Sequence, residues 1–291
     1  MSLLITATEL AHELAESDTV RILDVRWRLD RPDGHPEYLQ GHIPGAVYVD
    51  LDTELASHGA ATDGRHPLPS RQAIEDAARS WGINPGDSVV VYDDLNNFSA
   101  ARAWWLLTYA GLGTVRLLDG SLRAWTAAGF ELAAGEESII PGTVELGWDQ
   151  LPVTTLAEIA HLTETGVVLD ARAPERYRGD VEPIDPRAGH IPGALNAPAT
   201  ANIDGDGRFL PGAQLREKYL AVGVQPQSPI AVYCGSGIVA AHDVVALMLA
   251  GFAPMLYPGS FSQWSNHPDL PVALGPTANG RVEHSRGEAP A

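Results

Sequence analysis

The chain has a single cysteine, Cys234, and its setting is that of a nucleophile. It closes the apolar run Ile230-Ala231-Val232-Tyr233 and is followed by Gly235-Ser236-Gly237-Ile238 and, from Val239, by an apolar stretch of helical pattern. A buried strand, a glycine-bearing turn and a helix in this order place Cys234 at the carboxyl end of a strand, where open α/β sheets bind ligands. Such a turn can aim backbone N–H groups inward, and the following helix N-terminus adds the positive end of its dipole. Both stabilise a thiolate, the reactive form of cysteine. The competing reading is a buried structural cysteine, since free cysteine is among the most buried residue types; the strand–Cys–Gly–Ser–Gly–helix context favours the nucleophile. One cysteine allows no intrachain disulfide and no multi-cysteine zinc site, and no metal is expected.

The elements that must position this loop occur twice. GHIPGA stands at Gly41–Ala46 and again at Gly189–Ala194. Asp24-Val25-Arg26 matches Asp170-Ala171-Arg172, Val91-Tyr92-Asp93 matches Val232-Tyr233-Cys234, and Gly120-Ser121 with Trp125 matches Gly259-Ser260 with Trp264, all in the same order. The chain is therefore a tandem of two homologous domains. Thr6…Glu9 and Thr155…Glu158 read as capping boxes opening the first helix of each half. Short apolar runs (Arg21–Asp24, Val89–Tyr92, Val115–Leu118, then Val167–Asp170, Ile230–Tyr233, Met255–Tyr257) alternate with helical stretches such as Arg71–Trp81, Ala100–Ala110 and Val239–Ala250. This alternation predicts two α/β domains, each a mostly parallel sheet flanked by helices. The boundaries expected are 1–137 for the first domain, 138–152 for a linker and 153–274 for the second domain. A disordered tail rich in Gly, Pro and charge is expected over 275–291.

Composition narrows the class. Of 291 residues 45% are hydrophobic and 19% charged, enough for a sizeable core. The net charge of −18 opposes a nucleic-acid or anionic-membrane partner, because the long-range field repels both. The N-terminus has no basic region before a long apolar run, and no apolar stretch reaches about 20 residues, so neither a secretory signal nor a membrane span is expected. A free thiol suits a reducing compartment, which points to the cytoplasm.

The doubled GHIPGA motif, the strand-end Asp-x-Arg pairs, the Gly-Ser…Trp pairs and Tyr233-Cys234-Gly235-Ser236-Gly237-Ile238 together resemble the tandem-domain rhodanese-type sulfurtransferases, over about residues 1–272. The resemblance implies two rhodanese modules of which only the C-terminal one is catalytic. Asp93 stands where the second half has Cys234, and an aspartate cannot carry sulfane sulfur. It implies a double displacement without cofactor: the cysteine takes sulfur from a donor as a persulfide and yields it to cyanide or a thiol, thioredoxin among the candidates.

In thiosulfate-type members the loop is cationic, whereas Gly235, Ser236 and Gly237 are neutral. Cys-Gly-Ser-Gly is similar to the loop of 3-mercaptopyruvate sulfurtransferases, although Ile238 and Val239 replace the usual valine and threonine. The resemblance assigns substrate binding to Arg176, with Arg187 the candidate for a second substrate arginine, and a proton relay to Asp52, His66 and Ser236. Arg26, Arg172, His42 and His190 recur in both halves and read as structural, and Trp27 as a wall of the pocket.

Two other functional classes fit the sequence less well. A cysteine phosphatase of related fold needs an arginine six residues after the cysteine, where this chain has Ala240. A non-catalytic sulfur-relay or binding module would not need the second domain, the intact loop and Arg176. A monomeric enzyme acting on small-molecule donors is expected.

Overall fold

The computed structural model describes residues 2–283 and divides into two units. The first takes in residues up to Ser57, Leu68–Leu151 and Ile203–Leu210; the second takes in His58–Pro67, Pro152–Asn202 and the residues from Pro211.

In the first unit the strands are β1 (Leu4–Ile5), β2 (Val20–Asp24), β3 (Ala46–Tyr48), β4 (Ser88–Tyr92) and β5 (Val115–Leu118). The helices are α1 (Ala7–Glu16), α2 (His35–Gln40), α3 (Leu51–Glu54), α4 (Arg71–Ser80), α5 (Ala100–Tyr109) and α6 (Ser121–Ala127). The strands form one parallel sheet in the order β1-β5-β4-β2-β3. The second unit has β6 (Val167–Asp170), β7 (Leu195–Asn196), β8 (Ile230–Tyr233) and β9 (Pro254–Leu256), parallel in the order β7-β6-β8-β9. Its helices are α7 (Leu156–Thr165), α8 (Pro174–Arg178), α9 (Gly212–Val222), α10 (Val239–Leu249) and α11 (Ser260–Ser265). A two-stranded antiparallel ladder, β10 (Val272–Leu274) with β11 (Arg281–Glu283), completes it.

Both capping boxes form: Thr6 accepts the Glu9 N–H and Thr155 the Glu158 N–H, with each glutamate returning to the cap N–H. The central strands β4 and β8 are buried on both faces, as parallel strands under two helix layers must be. α10 is apolar nearly all round, and eight of its eleven residues are buried, so it lies inside its unit rather than on it.

The repeated motifs form the same hub in each unit. Asp24 takes the Arg26 guanidinium and the Tyr92 hydroxyl, and Tyr92 accepts the Ile43 N–H of the first GHIPGA. In the second unit Asp170 takes Arg172 and Tyr233 accepts the Ile191 N–H. Arg26 also donates to the Gly41 carbonyl and Arg172 to that of Gly189, while His42 stacks on Tyr38 and His190 on Tyr177. These arginines and histidines tie the GHIPGA turn to the sheet, which is why they recur.

Two expectations change. Residues 138–151 are no free linker: Val144 and Leu146 are buried, and the Leu146 N–H donates to Glu75 at 2.9 Å within the first unit. Residues 275–283 are no disordered tail, because β11 pairs with β10 and the Ala278 carbonyl accepts the Gly193 N–H at 2.8 Å. The rest of that expected tail, 284–291, lies outside the described residues.

Candidate active site

Cys234 follows the last residue of β8 and is 3% exposed. Its backbone is held from α11 and the residues before it. The Cys234 N–H donates to Ser260 Oγ at 3.1 Å, and the carbonyls of Cys234 and Gly235 accept the N–H groups of Phe261 (3.0 Å) and Ser262 (2.8 Å). Ser260 sits at φ +53°, a conformation seldom taken by residues with a side chain, and its hydroxyl is fixed on the Tyr257 carbonyl. This explains the Gly-Ser pair of the repeat: it turns the chain so that α11 backs the cysteine loop. Past Cys234 the loop turns at Gly237, with φ +78°, and the Gly237 N–H reaches back to Sγ at 3.2 Å. The α10 N-terminus follows at Val239. A sulfur anion here meets an N–H donor and the positive end of an eleven-residue helix. Ser236 and Ile238 are buried, and Val239 is partly so.

The first unit shows what the corresponding loop does with an anion of its own. Asp93 is fully buried, and its carboxylate accepts the N–H groups of Leu95, Asn97, Ser99 and Ala100 at 2.8–3.1 Å and the Ser121 hydroxyl at 2.9 Å. Burial pushes its pKa up and the four N–H groups oppose that. The strand-to-helix turn of this fold is thus an anion nest. In the first unit a side-chain carboxylate fills it; in the second the cysteine occupies the matching strand end.

A charged cluster flanks the cysteine loop. Arg176, on α8, donates through Nη2 to Glu182 at 2.7 and 2.9 Å and to Asp185 at 3.1 Å. Glu182 also meets Arg172 and accepts the N–H groups of Ile184 and Asp185. Burial raises the Glu182 pKa, but the Asp185 N–H and Arg176 outweigh it and hold the carboxyl below its usual range. At Asp185 burial prevails over Arg65, and the pKa is raised. The remaining Arg176 nitrogen, Nη1, points to Gly235: a Cβ placed there would lie 3.3 Å from it.

Arg187 does not join this group. Its Nε and both Nη nitrogens donate to the carbonyls of Ser265, Leu270, Trp264 and His267 at 2.6–3.0 Å. It clamps the chain after α11, and the expectation of a second substrate arginine at this position is corrected. The guanidinium found beside the loop is Arg65, which sequence reasoning passed over. It pairs with Asp185, and its Nη2 would lie 2.9 Å from a Cβ at Gly235. The only signal was its place next to His66. His66 is half-buried in the 58–67 segment of the second unit, whereas Asp52 lies on α3 of the first unit.

The model of the rhodanese-like domain matches residues 6–128 and again 155–267. The chain belongs to the rhodanese family. Its relatives include a Mycobacterium tuberculosis protein named "Putative thiosulfate sulfurtransferase SseB", 49% identical over 275 residues covering 94% of this chain and 97% of that one. A Pseudomonas aeruginosa protein named "Probable 3-mercaptopyruvate sulfurtransferase" is 45% identical over 279 residues, covering 94% and 98%. The solved structure of SseA from Escherichia coli, described as a 3-mercaptopyruvate sulfotransferase, superimposes with a TM-score of 0.80 at 32% identity, covering 90% of this chain and 99% of that one.

This rhodanese-family chain is therefore an enzyme, a sulfurtransferase that moves sulfane sulfur through a cysteine persulfide. Among the described residues no helix is long and apolar enough to cross a membrane. No cluster of three or more His, Cys, Asp or Glu side chains among them is suited to a metal ion.

Proposed function

We propose that Cys234 is the nucleophile, that 3-mercaptopyruvate is the preferred donor, and that Arg176 holds the donor's carboxylate. The observation that carries the donor choice is the neutrality of the loop. Residues 235–239 offer N–H groups and one hydroxyl but no cation, and Arg176 is already engaged by Glu182 and Asp185. A dianion such as thiosulfate demands more positive charge than this surround supplies; a monoanionic 2-oxo acid demands less.

In the first step the Cys234 thiolate attacks the donor sulfur and the donor's C–S bond breaks. The electron pair passes into the enolate of pyruvate, which takes the proton released from the donor thiol. Cys234 is left as a persulfide anion within the loop N–H groups, in the manner of an oxyanion hole. In the second step an acceptor thiolate attacks the outer sulfur, the S–S bond breaks, and the Cys234 thiolate is regenerated as the acceptor leaves as a persulfide. A protein dithiol such as thioredoxin or a small thiol serves as acceptor, and cyanide can replace it.

Ser236 stands next to the residue faced by both guanidiniums, and His66 directly follows one of them, Arg65. This supports a proton route to the enolate through Ser236 and His66. The reading places the enzyme in the cytoplasm as a monomer.

The test is kcat/KM for 3-mercaptopyruvate and thiosulfate with one acceptor under one set of conditions. A preference of tenfold or more for 3-mercaptopyruvate is expected. A preference for thiosulfate would reverse the donor assignment, in line with the name of the M. tuberculosis relative.

A further inference from the structure

A cavity of about 450 Å³ lies within the first unit. Its walls include Arg21 and Ile22 of β2, Val47 of the edge strand β3, Trp81 just past α4, and Ile139 and Ile140. The volume is in the range of small-molecule sites, about 300–1,000 Å³. None of these residues belongs to the cysteine loop.

The repeat shows how the space arises. Gly45 and Gly193 are the same residue of GHIPGA, at φ +80° and +89°. A Cβ on Gly193 would lie 2.7 Å from Thr163 Cβ, whereas one on Gly45 meets nothing within 4 Å. Gly82, past α4, matches Gly223, past α9. Leu195 of the edge strand β7 packs there in the second unit, 3.1 Å from a Cβ on Gly223. Its counterpart Val47 is one methylene smaller, and a Cβ on Gly82 would instead meet Ile139 Cγ2 at 3.0 Å and the Ile140 carbonyl oxygen at 3.1 Å. Residues 139–140 therefore roof a gap that a side chain helps to fill in the other unit. The roof is fixed just beyond Ile140: the Gly142 N–H donates to the Arg79 carbonyl at 2.7 Å and the Thr143 N–H to Asn84 Oδ1 at 3.1 Å.

One wall is cationic where the repeat has an apolar residue. Counted back from the matched Asp24 and Asp170, Arg21 stands where the second unit has the buried Val167. Arg21 Nε donates to Asp87 Oδ2 at 2.8 Å, and its two Nη nitrogens have no hydrogen-bond partner among the described residues. Asp87 is buried, and the same Oδ2 accepts the Asn84 N–H at 2.9 Å. The carboxylate is thus held firmly, and it orients the guanidinium while leaving the Nη edge unspent. That edge matches a carboxylate bidentately. Trp81 is likewise fixed, its Nε1 donating to Glu54 at 3.0 Å.

We propose that this cavity binds a small organic carboxylate with a compact apolar body, the carboxylate on the Nη edge of Arg21 and the body against Val47, Trp81 and Ile139. A preformed apolar space with one oriented polar group gives both affinity and direction to such a ligand. A role for Arg21 in the ion pair alone would account for neither the open edge nor the adjoining space.

The experiment is methyl NMR of the full chain labelled with 13C at the isoleucine δ1 positions, titrated with phenylacetate and with its neutral counterpart phenylacetamide. Phenylacetate should shift the methyls of Ile22, Ile139 and Ile140 with a Kd of about 1–10 mM. Phenylacetamide, and phenylacetate with Arg21→Gln, should bind about tenfold or more weakly. Val47→Leu keeps the Arg21–Asp87 pair and puts the second unit's residue into the space, so it should weaken phenylacetate severalfold even if Arg21→Gln does not fold. Shifts confined to Ile238, in the cysteine loop, or no shift at Ile139 and Ile140, would overturn the proposal. So would phenylacetamide binding within twofold of phenylacetate, because the guanidinium would then play no part.

Discussion

Gly237→Ala is the change that most selectively disturbs the anion-holding function of the cysteine loop. Gly237 lies at φ +78°, where a residue with a side chain pays about 1–2 kcal/mol. A Cβ built there falls 2.3 Å from the Pro258 carbonyl oxygen. That atom is backbone, so the loop itself must give way by at least several tenths of an ångström to reach a tolerable contact. The displaced group is the one whose N–H reaches Sγ at 3.2 Å. A hydrogen bond to a charged group contributes about 1.5–3 kcal/mol, so losing it weakens stabilisation of the sulfur anion by roughly ten- to 150-fold. The expected outcome is a chain that still folds, melts at a lower temperature, and shows iodoacetamide alkylation of Cys234 and sulfur-transfer kcat/KM both reduced by at least tenfold at neutral pH. The assay pairs alkylation rates, followed by mass spectrometry, with turnover of the same preparation. Alkylation and turnover both within twofold of wild type would refute the reasoning that the loop N–H groups hold the sulfur charge.

Asp93→Asn tests the same nest in the first unit. The amide oxygen can keep the donors on Oδ1 but leaves its NH2 facing the N–H groups of Ser99 and Ala100, two buried donors without an acceptor. At about 1–3 kcal/mol each the loss is about 2–6 kcal/mol in urea unfolding; a change under about 0.5 kcal/mol would contradict the nest. Asp243 supplies a pH signature. It is fully buried on α10 beside Asn202 and Lys218, and burial raises its pKa to about 7, against the opposing pull of Lys218. Between about pH 4 and pH 7 the unfolded chain has lost this proton while the folded one keeps it. The stability of wild type relative to Asp243→Asn should therefore fall as pH rises through that window, by up to about 1.4 kcal/mol per pH unit, and level off above it. A flat or rising difference in unfolding free energy would contradict the assignment.

Much of this architecture was legible because the chain states it twice. Asp24 with Arg26 and Asp170 with Arg172, the two GHIPGA turns and the strand-end tyrosines each recur in order, and each proves to be part of one hydrogen-bonded hub. The cysteine loop was readable from local pattern alone, since strand, glycine turn and helix are contiguous. What escaped was contact across sequence distance. Arg65 meets Asp185 from 120 residues away, and no spacing rule connects them. Arg187 was drawn toward the site by its nearness to Arg176 in sequence, but four backbone carbonyls around 264–270 claim its guanidinium, and a carbonyl leaves no mark in a side-chain pattern. Composition likewise misjudged 275–283, where Gly and Pro turn the chain back so that Arg281–Glu283 pairs with Val272–Leu274. That Asp93 cannot carry sulfur follows from its side chain; that its carboxylate also fills the nest depends on backbone geometry.

The central claim is that the sulfane sulfur travels on Cys234. Intact-mass and peptide spectrometry of the full chain after brief exposure to 3-mercaptopyruvate without acceptor tests it most directly. The account predicts a gain of one sulfur atom localised to Cys234, its loss on adding cyanide or a thiol, and no gain in a folded Cys234→Ser variant that is inactive in sulfur transfer. A Cys234→Ser chain that still transfers sulfur, or a wild-type chain that turns over with no sulfur ever found on Cys234, would contradict it.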